Sequence, residues 1–282
     1  MGDERSFQYA TNSAETRIIR GNIHYASANQ PQGTIVIIHG FKGFKDWGMF
    51  PYVADRLSAQ YDVIRFNLSR NGVGESLTEF DELEQFGRQT FSGDLEDLGA
   101  LLERVRTGNL PLEGRQPTAD RLVLLGHSRG GGEAILWALD HPDTVHGVIS
   151  WNGSVRFTDI FGETGLQEIR ERGIAYTRNA RTGQMMPLER VIADDLEQNK
   201  ARFHITERIT ELRVPLALIQ GDQDYRRLIE GSEQLVERRP DIEWISIAGG
   251  DHTYGAKHPF QGTTPALDAA IEATLKAVGD IR

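Results

Sequence analysis

Residues 121–132 read RLVLLGHSRGGG. An apolar run, 121–125, enters Gly126-His127-Ser128-Arg129-Gly130, and a helical pattern follows over 131–140. Strand, tight turn and helix around G-x-S-x-G is the setting that places a serine on a nucleophile elbow. The spacing has a steric reason. A serine on so tight a turn has a strained backbone, and glycines two residues to either side remove the Cβ atoms that would collide. The hydroxyl then points off the sheet edge, with the next helix aiming its positive N-terminus at the site. Gly131 and Gly132 cost helix propensity, which is explained if that helix approaches neighbouring backbone closely.

A serine hydroxyl needs a general base, and the base needs an orienting acid. Elbow enzymes carry them in the order serine, acid, histidine. Strand-like VPLALI (214–219) runs into Gln220-Gly221-Asp222-Gln223-Asp224, and IEWISI (242–247) runs toward Gly249-Gly250-Asp251-His252-Thr253. Both loops follow strands, where open parallel sheets build their sites. Among the eight histidines, His204, His252 and His258 lie late enough in the chain. His204 falls in the 155–212 segment and His258 precedes a proline in a later loop, so His252 is the candidate base. Oxyanion donors are also required. TIVII (34–38) ends in His39-Gly40-Phe41-Lys42-Gly43. By position, the N–H of Phe41 pairs with that of Arg129, and Lys42 is the next candidate.

Working outward, TIVII, YDVIRF (61–66), RLVLL, VHGVISW (145–151), VPLALI and IEWISI are short apolar or β-branched runs. Strands buried on both faces of a parallel sheet have this form. Helical patterns at about 47–60, 90–107, 131–140, 225–238 and 264–278 separate them. Residues 5–10 and 16–25 suggest a leading antiparallel pair, turning near 12–15. The alternation predicts an α/β fold. The division expected is a discontinuous core, 1–154 and 213–282, and a cap insertion at 155–212. That insertion shows no clear strand, carries many arginines and is expected to be mostly helical. Asp194 and Asp195 are expected to cap or solvate one of its helices. The acidic cluster Asp81, Glu82 and Glu84 reads as a solvated loop or helix start.

The 282 residues are 39% hydrophobic and 26% charged, with a net charge of −10. That acidity argues against a nucleic-acid partner, which needs a positive face, and against anionic membranes. No apolar run reaches the ~18 residues of a membrane helix. The absence of cysteine excludes disulfides and thiolate chemistry. MGDERSFQYA has no apolar signal-like run, and a cytoplasmic setting is expected.

HGFKG (39–43), NGVGES (71–76), GHSRGGG (126–132), GDQD (221–224) and GGDHT (249–253) together resemble the α/β-hydrolase superfamily. The chain is most similar to its bacterial dienelactone-hydrolase and serine-aminopeptidase-like members, over roughly 16–154 and 213–280. The resemblance implies the α/β-hydrolase fold, with a mostly parallel eight-stranded sheet and a Ser128–Asp224–His252 triad. In that pattern the acid stands three residues after Gly221, at Asp224. Asp222 is then expected to accept backbone N–H groups in the turn. Asp251, adjacent to His252, is the third candidate.

The expected activity is hydrolysis of a small-molecule carboxylic ester through an acyl-enzyme, with no cofactor and no metal. Amide, peptide or C–C bond cleavage with the same triad are the alternatives, as is acyl transfer. A non-catalytic ligand-binding relative is disfavoured because all three triad positions are filled. Epoxide hydrolases and haloalkane dehalogenases carry an aspartate where this chain has Ser128.

Overall fold

The computed structural model describes residues 3–11 and 15–281. The elements run β1 (Glu4–Ala10), β2 (Ile18–His24), β3 (Thr34–Ile38), α1 (Phe50–Leu57), β4 (Asp62–Asn67), α2 (Leu83–Gly87), α3 (Phe91–Arg106), β5 (Leu122–His127), α4 (Arg129–Asp140) and β6 (Gly147–Trp151). Then follow α5 (Thr158–Arg172), β7 (Ile174–Arg178), β8 (Met185–Glu189), α6 (Arg190–Gln198), α7 (Ile205–Arg208), a 3₁₀ turn (Ile209–Glu211), β9 (Leu216–Gly221), α8 (Arg226–Arg238), β10 (Glu243–Ile247) and α9 (Pro265–Asp280).

Eight strands form one sheet in the order β1-β2-β4-β3-β5-β6-β9-β10. β1 pairs antiparallel with β2, and β2 with β4; the remaining pairs are parallel. The α/β architecture expected from the alternation is therefore present. The turn expected near 12–15 falls largely on residues 12–14, which lie outside the described residues.

The apolar runs are explained by two-sided burial. Every residue of β3, TIVII, is buried. Val36 and Ile38 face one layer, with α3, α4 and α8, while Ile35 and Ile37 face the other, with α1 and α9. On the edge strand β1 only Phe7 and Tyr9 are buried, the alternation expected of a strand covered on one side. Capping fixes two helix starts. Thr90 accepts from Gly93 N (3.1 Å) at α3, and Thr264 accepts from Leu267 N (3.0 Å) at α9, just before Pro265.

The sheet order positions the site. From β3 the chain crosses to β4 on one side and then to β5 on the other, so the loops after β3 and β5 meet at a topological switch point. His39 ties the adjoining loops. Its Nδ1–H donates to the Gly40 carbonyl (2.9 Å), and its Nε2 accepts from Leu68 N, beyond β4 (3.2 Å). Burial pushes this imidazole down to about 4.

The 155–212 segment departs from its expected form in two ways. It contains a hairpin: β7 and β8 pair antiparallel, from Ile174↔Glu189 to Arg178↔Met185. Its strands bury one face only, so IAYTR and MMPLE lack the continuous apolar signature that marked the core strands. Asp195 does not solvate α6. It is buried and accepts from Ser92 N (3.2 Å) and Asn199 Nδ2 (2.9 Å), fastening α6 to the start of α3.

Two predictions follow from this packing. A Cβ on Gly130 would lie 2.4 Å from the Ile38 carbonyl oxygen, whereas one on Gly165, inside α5, would meet nothing within 4 Å. Gly130→Ala should cost about 2 kcal/mol or more through overpacking. Gly165→Ala should add about 0.5–1 kcal/mol. Urea midpoints at unchanged m-value check both, and equal shifts would contradict the contrast.

The second concerns His39. Its folded-state value lies below the ordinary imidazole value, so its neutral form is favoured by folding. As pH falls from about 6.5 toward about 4 the unfolded chain takes up a proton that the folded chain refuses, and stability is lost. His39→Gln removes this contribution. The stability difference between parent and variant should move against the parent by on the order of 3 kcal/mol across that window. Denaturant unfolding at several pH values measures it, and a pH-independent difference would show that His39 does not titrate this way.

Candidate active site

β5 delivers Ser128 to the sheet edge with φ 56° and ψ −118°, a backbone conformation L-residues rarely adopt. The glycines beside it permit this. A Cβ on Gly126 would lie 2.1 Å from the Gly130 carbonyl oxygen, and one on Gly132 would lie 2.0 Å from that of Ser154. The glycine run thus serves close approach of α4 to backbone, as its sequence suggests.

Ser128 Oγ lies 3.0 Å from His252 Nε2, and His252 Nδ1 lies 2.8 Å from Asp224 Oδ1. The three residues expected from the sequence are thus brought into one hydrogen-bonded chain. The Asp224 carboxylate is buried. It also accepts from Gln220 Nε2 (2.7 Å, Oδ2) and Tyr225 N (2.7 Å, Oδ1). The other two acids do different work. Asp222 Oδ1 accepts from Gly249 N (2.8 Å), so it ties the acid loop to the histidine loop rather than bonding within its own turn. Asp251 Oδ1 accepts from Thr253 N (3.0 Å) and Gly255 N (2.7 Å) and closes a local turn.

Phe41 and Arg129 lie on the two backbone segments that meet at the serine. A Cβ on Gly40 would fall 3.0 Å from Ser128 Cβ. Among the described residues neither the Phe41 nor the Arg129 backbone N–H has an acceptor. The side chain of Lys42 (φ 57°) turns to the β7–β8 hairpin, its Nζ donating to Thr177 Oγ1 and the Arg178 carbonyl (both 2.8 Å). Phe41 packs against Phe86 (5.5 Å between centroids) and Phe161 of α5 (5.4 Å). His204 stands at the start of α7, and His258 Nδ1 accepts from Gly48 N (2.9 Å); neither joins the chain.

Sequence reasoning missed the residues that hold these loops together. Asn152, buried just beyond β6 with φ 47°, donates through Nδ2 to the carbonyls of Asp251 (3.1 Å) and His252 (3.0 Å). Its Oδ1 accepts from Gly221 N (2.8 Å) and Gln220 Nε2 (3.0 Å). One side chain thereby bridges the acid loop and the histidine loop. The Asn-Gly pair after a strand was the available signal, since asparagine tolerates left-handed backbone. His127 donates from Nε2 to the His252 carbonyl (2.8 Å), and burial pushes it down to about 4, which keeps it neutral.

The Arg129 side chain is wholly buried. It binds Glu133 Oε1 (2.7 Å, from Nε), Gln89 Oε1 and Asp94 Oδ2, and its guanidinium lies 4.2 Å over the Phe91 ring. Burial raises both acids, Asp94 well above the usual carboxylate range. Among the described residues no group of three or more His, Asp or Glu is placed to hold a metal ion, and no helix is long and apolar enough to cross a membrane.

A family model described as alpha/beta hydrolase fold matches residues 33–190. No curated protein matches the sequence. Among solved structures the chain is similar to Est1E from Butyrivibrio proteoclasticus, at 16% identity over 97% of this chain and 100% of that one, with a TM-score of 0.69. Est1E has also been solved with ferulic acid bound, matching at 18% identity over 94% and 97%, TM-score 0.69. Dienelactone hydrolase from Anabaena variabilis matches at 16% identity over 99% and 98%, TM-score 0.63. Monoacylglycerol lipase from Paleococcus ferrophilus matches at 14% over 93% and 98%, TM-score 0.66. At such identities the likeness establishes the fold. The family match spans more than half of the sequence, and on that ground the chain belongs to the α/β-hydrolase fold family.

Proposed function

We propose that the protein is a serine hydrolase of small-molecule carboxylic esters, with Ser128 as nucleophile, His252 as general base and Asp224 as orienting acid. The observation that carries the reading is the chain Ser128 Oγ–His252 Nε2–His252 Nδ1–Asp224 Oδ1, at 3.0 and 2.8 Å, on a strained elbow. Esterases and a lipase among proteins of like fold are in keeping with it.

In this reading the Ser128 hydroxyl donates to Nε2 while Nδ1–H donates to Asp224. Attack of Oγ on the ester carbonyl passes the hydroxyl proton to Nε2. The tetrahedral oxyanion is met by the N–H groups of Phe41 and Arg129, which have no acceptor among the described residues. Collapse breaks the C–O bond, and Nε2 returns the proton to the leaving alcohol. Water then attacks the acyl-Ser128 ester with His252 as base, releasing the acid and restoring the serine. Residues 155–212 act as the cap over the core formed by 1–154 and 213–282. Phe161 of the cap and Phe41 offer the substrate an apolar wall.

Wild-type protein should be labelled by a fluorophosphonate probe at Ser128, and Ser128→Ala should lower ester hydrolysis by ~10³-fold or more while remaining folded. Activity above about a tenth of wild type in that variant would place the nucleophile elsewhere. The acid is tested on one activated ester. Asp224→Asn should cost ~10⁴ in kcat by favouring the wrong imidazole tautomer. Asp222→Asn, which weakens the bond to Gly249, should cost far less, mainly about 1 kcal/mol of loop stability. A deeper loss at Asp222 than at Asp224 would reverse the assignment.

A further inference from the structure

We propose that the Arg129 side chain is a positioning residue that fixes the orientation of its own backbone N–H, the oxyanion donor next to Ser128; this rests on the hydrolase reading above. That role needs only a peptide bond, and a small residue would supply it. The chain instead places a guanidinium there with 1% of its surface exposed. Burying a charge of this kind is strongly unfavourable unless its donors are matched.

Matching is supplied from separate elements. Glu133 lies one turn on in α4, Gln89 precedes α3, and Asp94 stands in the first turn of α3. Phe91 covers the guanidinium plane. A planar fork held in this way has little freedom left in its side-chain torsions. It therefore pins the Arg129 Cα against α3.

The location of that pin matters. The peptide between Ser128 and Arg129 carries the N–H in question. On one side stands Ser128 at φ 56° and ψ −118°, whose hydroxyl makes no capping bond to the helix. The Ser128 carbonyl end of this peptide is held by Ser154 N (2.9 Å) and Gly131 N (3.0 Å); with the strained serine behind it, a shift at the Arg129 end would still tilt the peptide and turn the N–H off the oxyanion. The clamp fixes that end. Residues 155–212 complete it: Phe91 stacks on Phe157 (4.1 Å, 11° between planes) and meets the edge of Phe203 (5.8 Å). The insertion thus bears on the donor without touching it.

The test compares Arg129→Lys, which keeps the charge but loses the fork and the stack, with Arg129→Met and Gln89→Leu. One activated ester gives kcat and KM, a trifluoromethyl ketone gives Ki, and near-UV circular dichroism gives the folded fraction. Removal of a whole oxyanion donor costs ~10²–10³ in kcat. Misalignment should forfeit part of this: about 10- to 30-fold in kcat for the Arg129 variants, with KM within about 2-fold and Ki rising in step with the loss of kcat. Gln89→Leu should lose about 3-fold in the same pattern. A folded Arg129 variant with wild-type kcat and Ki and only a lower Tm would overturn the proposal and leave Arg129 a structural tie between helices. If both Arg129 variants fail to fold, an unchanged kcat and Ki in Gln89→Leu overturns it. Failure of Ser128 labelling in the wild type would instead sink the hydrolase reading, whatever the Arg129 variants do.

Discussion

The site depends on backbone meeting backbone at the carboxyl edge of the sheet. Two such approaches matter most. At the elbow, Gly126 faces the Gly130 carbonyl so closely that a Cβ would lie 2.1 Å from its oxygen. At the other end, a Cβ on Gly221 would lie 2.2 Å from the Gly250 carbonyl oxygen. The first brings β5 and α4 together around Ser128. The second brings the acid loop against the histidine loop, close enough for Asp224 to reach His252 at 2.8 Å. A strained residue such as Ser128 costs ~1–3 kcal/mol and persists only where its surroundings over-determine it. Here the close-packed glycines, the paired strands to either side and the buried Arg129 supply that restraint.

This constraint also explains what was legible in the sequence. Core strands announce themselves because burial on both faces demands unbroken runs such as TIVII and LVLL. Glycines at 126, 130 and 221 stand out because a Cβ there would lie within 2.4 Å of a backbone carbonyl oxygen, and Ser128, Asp224 and His252 follow from their places near these turns. The hairpin β7–β8 escaped because it is covered on one face, so IAYTR carries arginine and threonine where a core strand would be apolar. Asp195 was misjudged because a carboxylate on a short amphipathic helix usually faces water. Only the three-dimensional path of α3, bringing Ser92 alongside, turns it into a buried tie.

Asn152 shows a different limit. Its function is to satisfy backbone groups from loops about 70 and 100 residues away in sequence. No local pattern encodes that. Three parallel strands, β5, β6 and β9, must first lie side by side before the end of β6 faces both loops. Buried N–H and C=O groups at such a junction would each cost about 1–3 kcal/mol if left unpaired. An amide side chain, with both donors and acceptors, answers them in one place.

The elbow's polar surroundings divide along the same line. On the His252 side, neutral groups predominate: His127, Asn152 and Gln220 hold the loops through hydrogen bonds without adding charge near the imidazole. On the Arg129 side, ions are concentrated but matched, with the guanidinium against Glu133 and Asp94. A neutral surround leaves the Asp224 carboxylate as the charge that orients His252. A matched ionic cluster lends rigidity to the oxyanion side without imposing a strong field on it. Reversing the arrangement would set unpaired charge against the base and leave the strained peptide after Ser128 without one of its anchors. The distribution of charge is therefore as much a part of the site's construction as the positions of the three residues that line up across it.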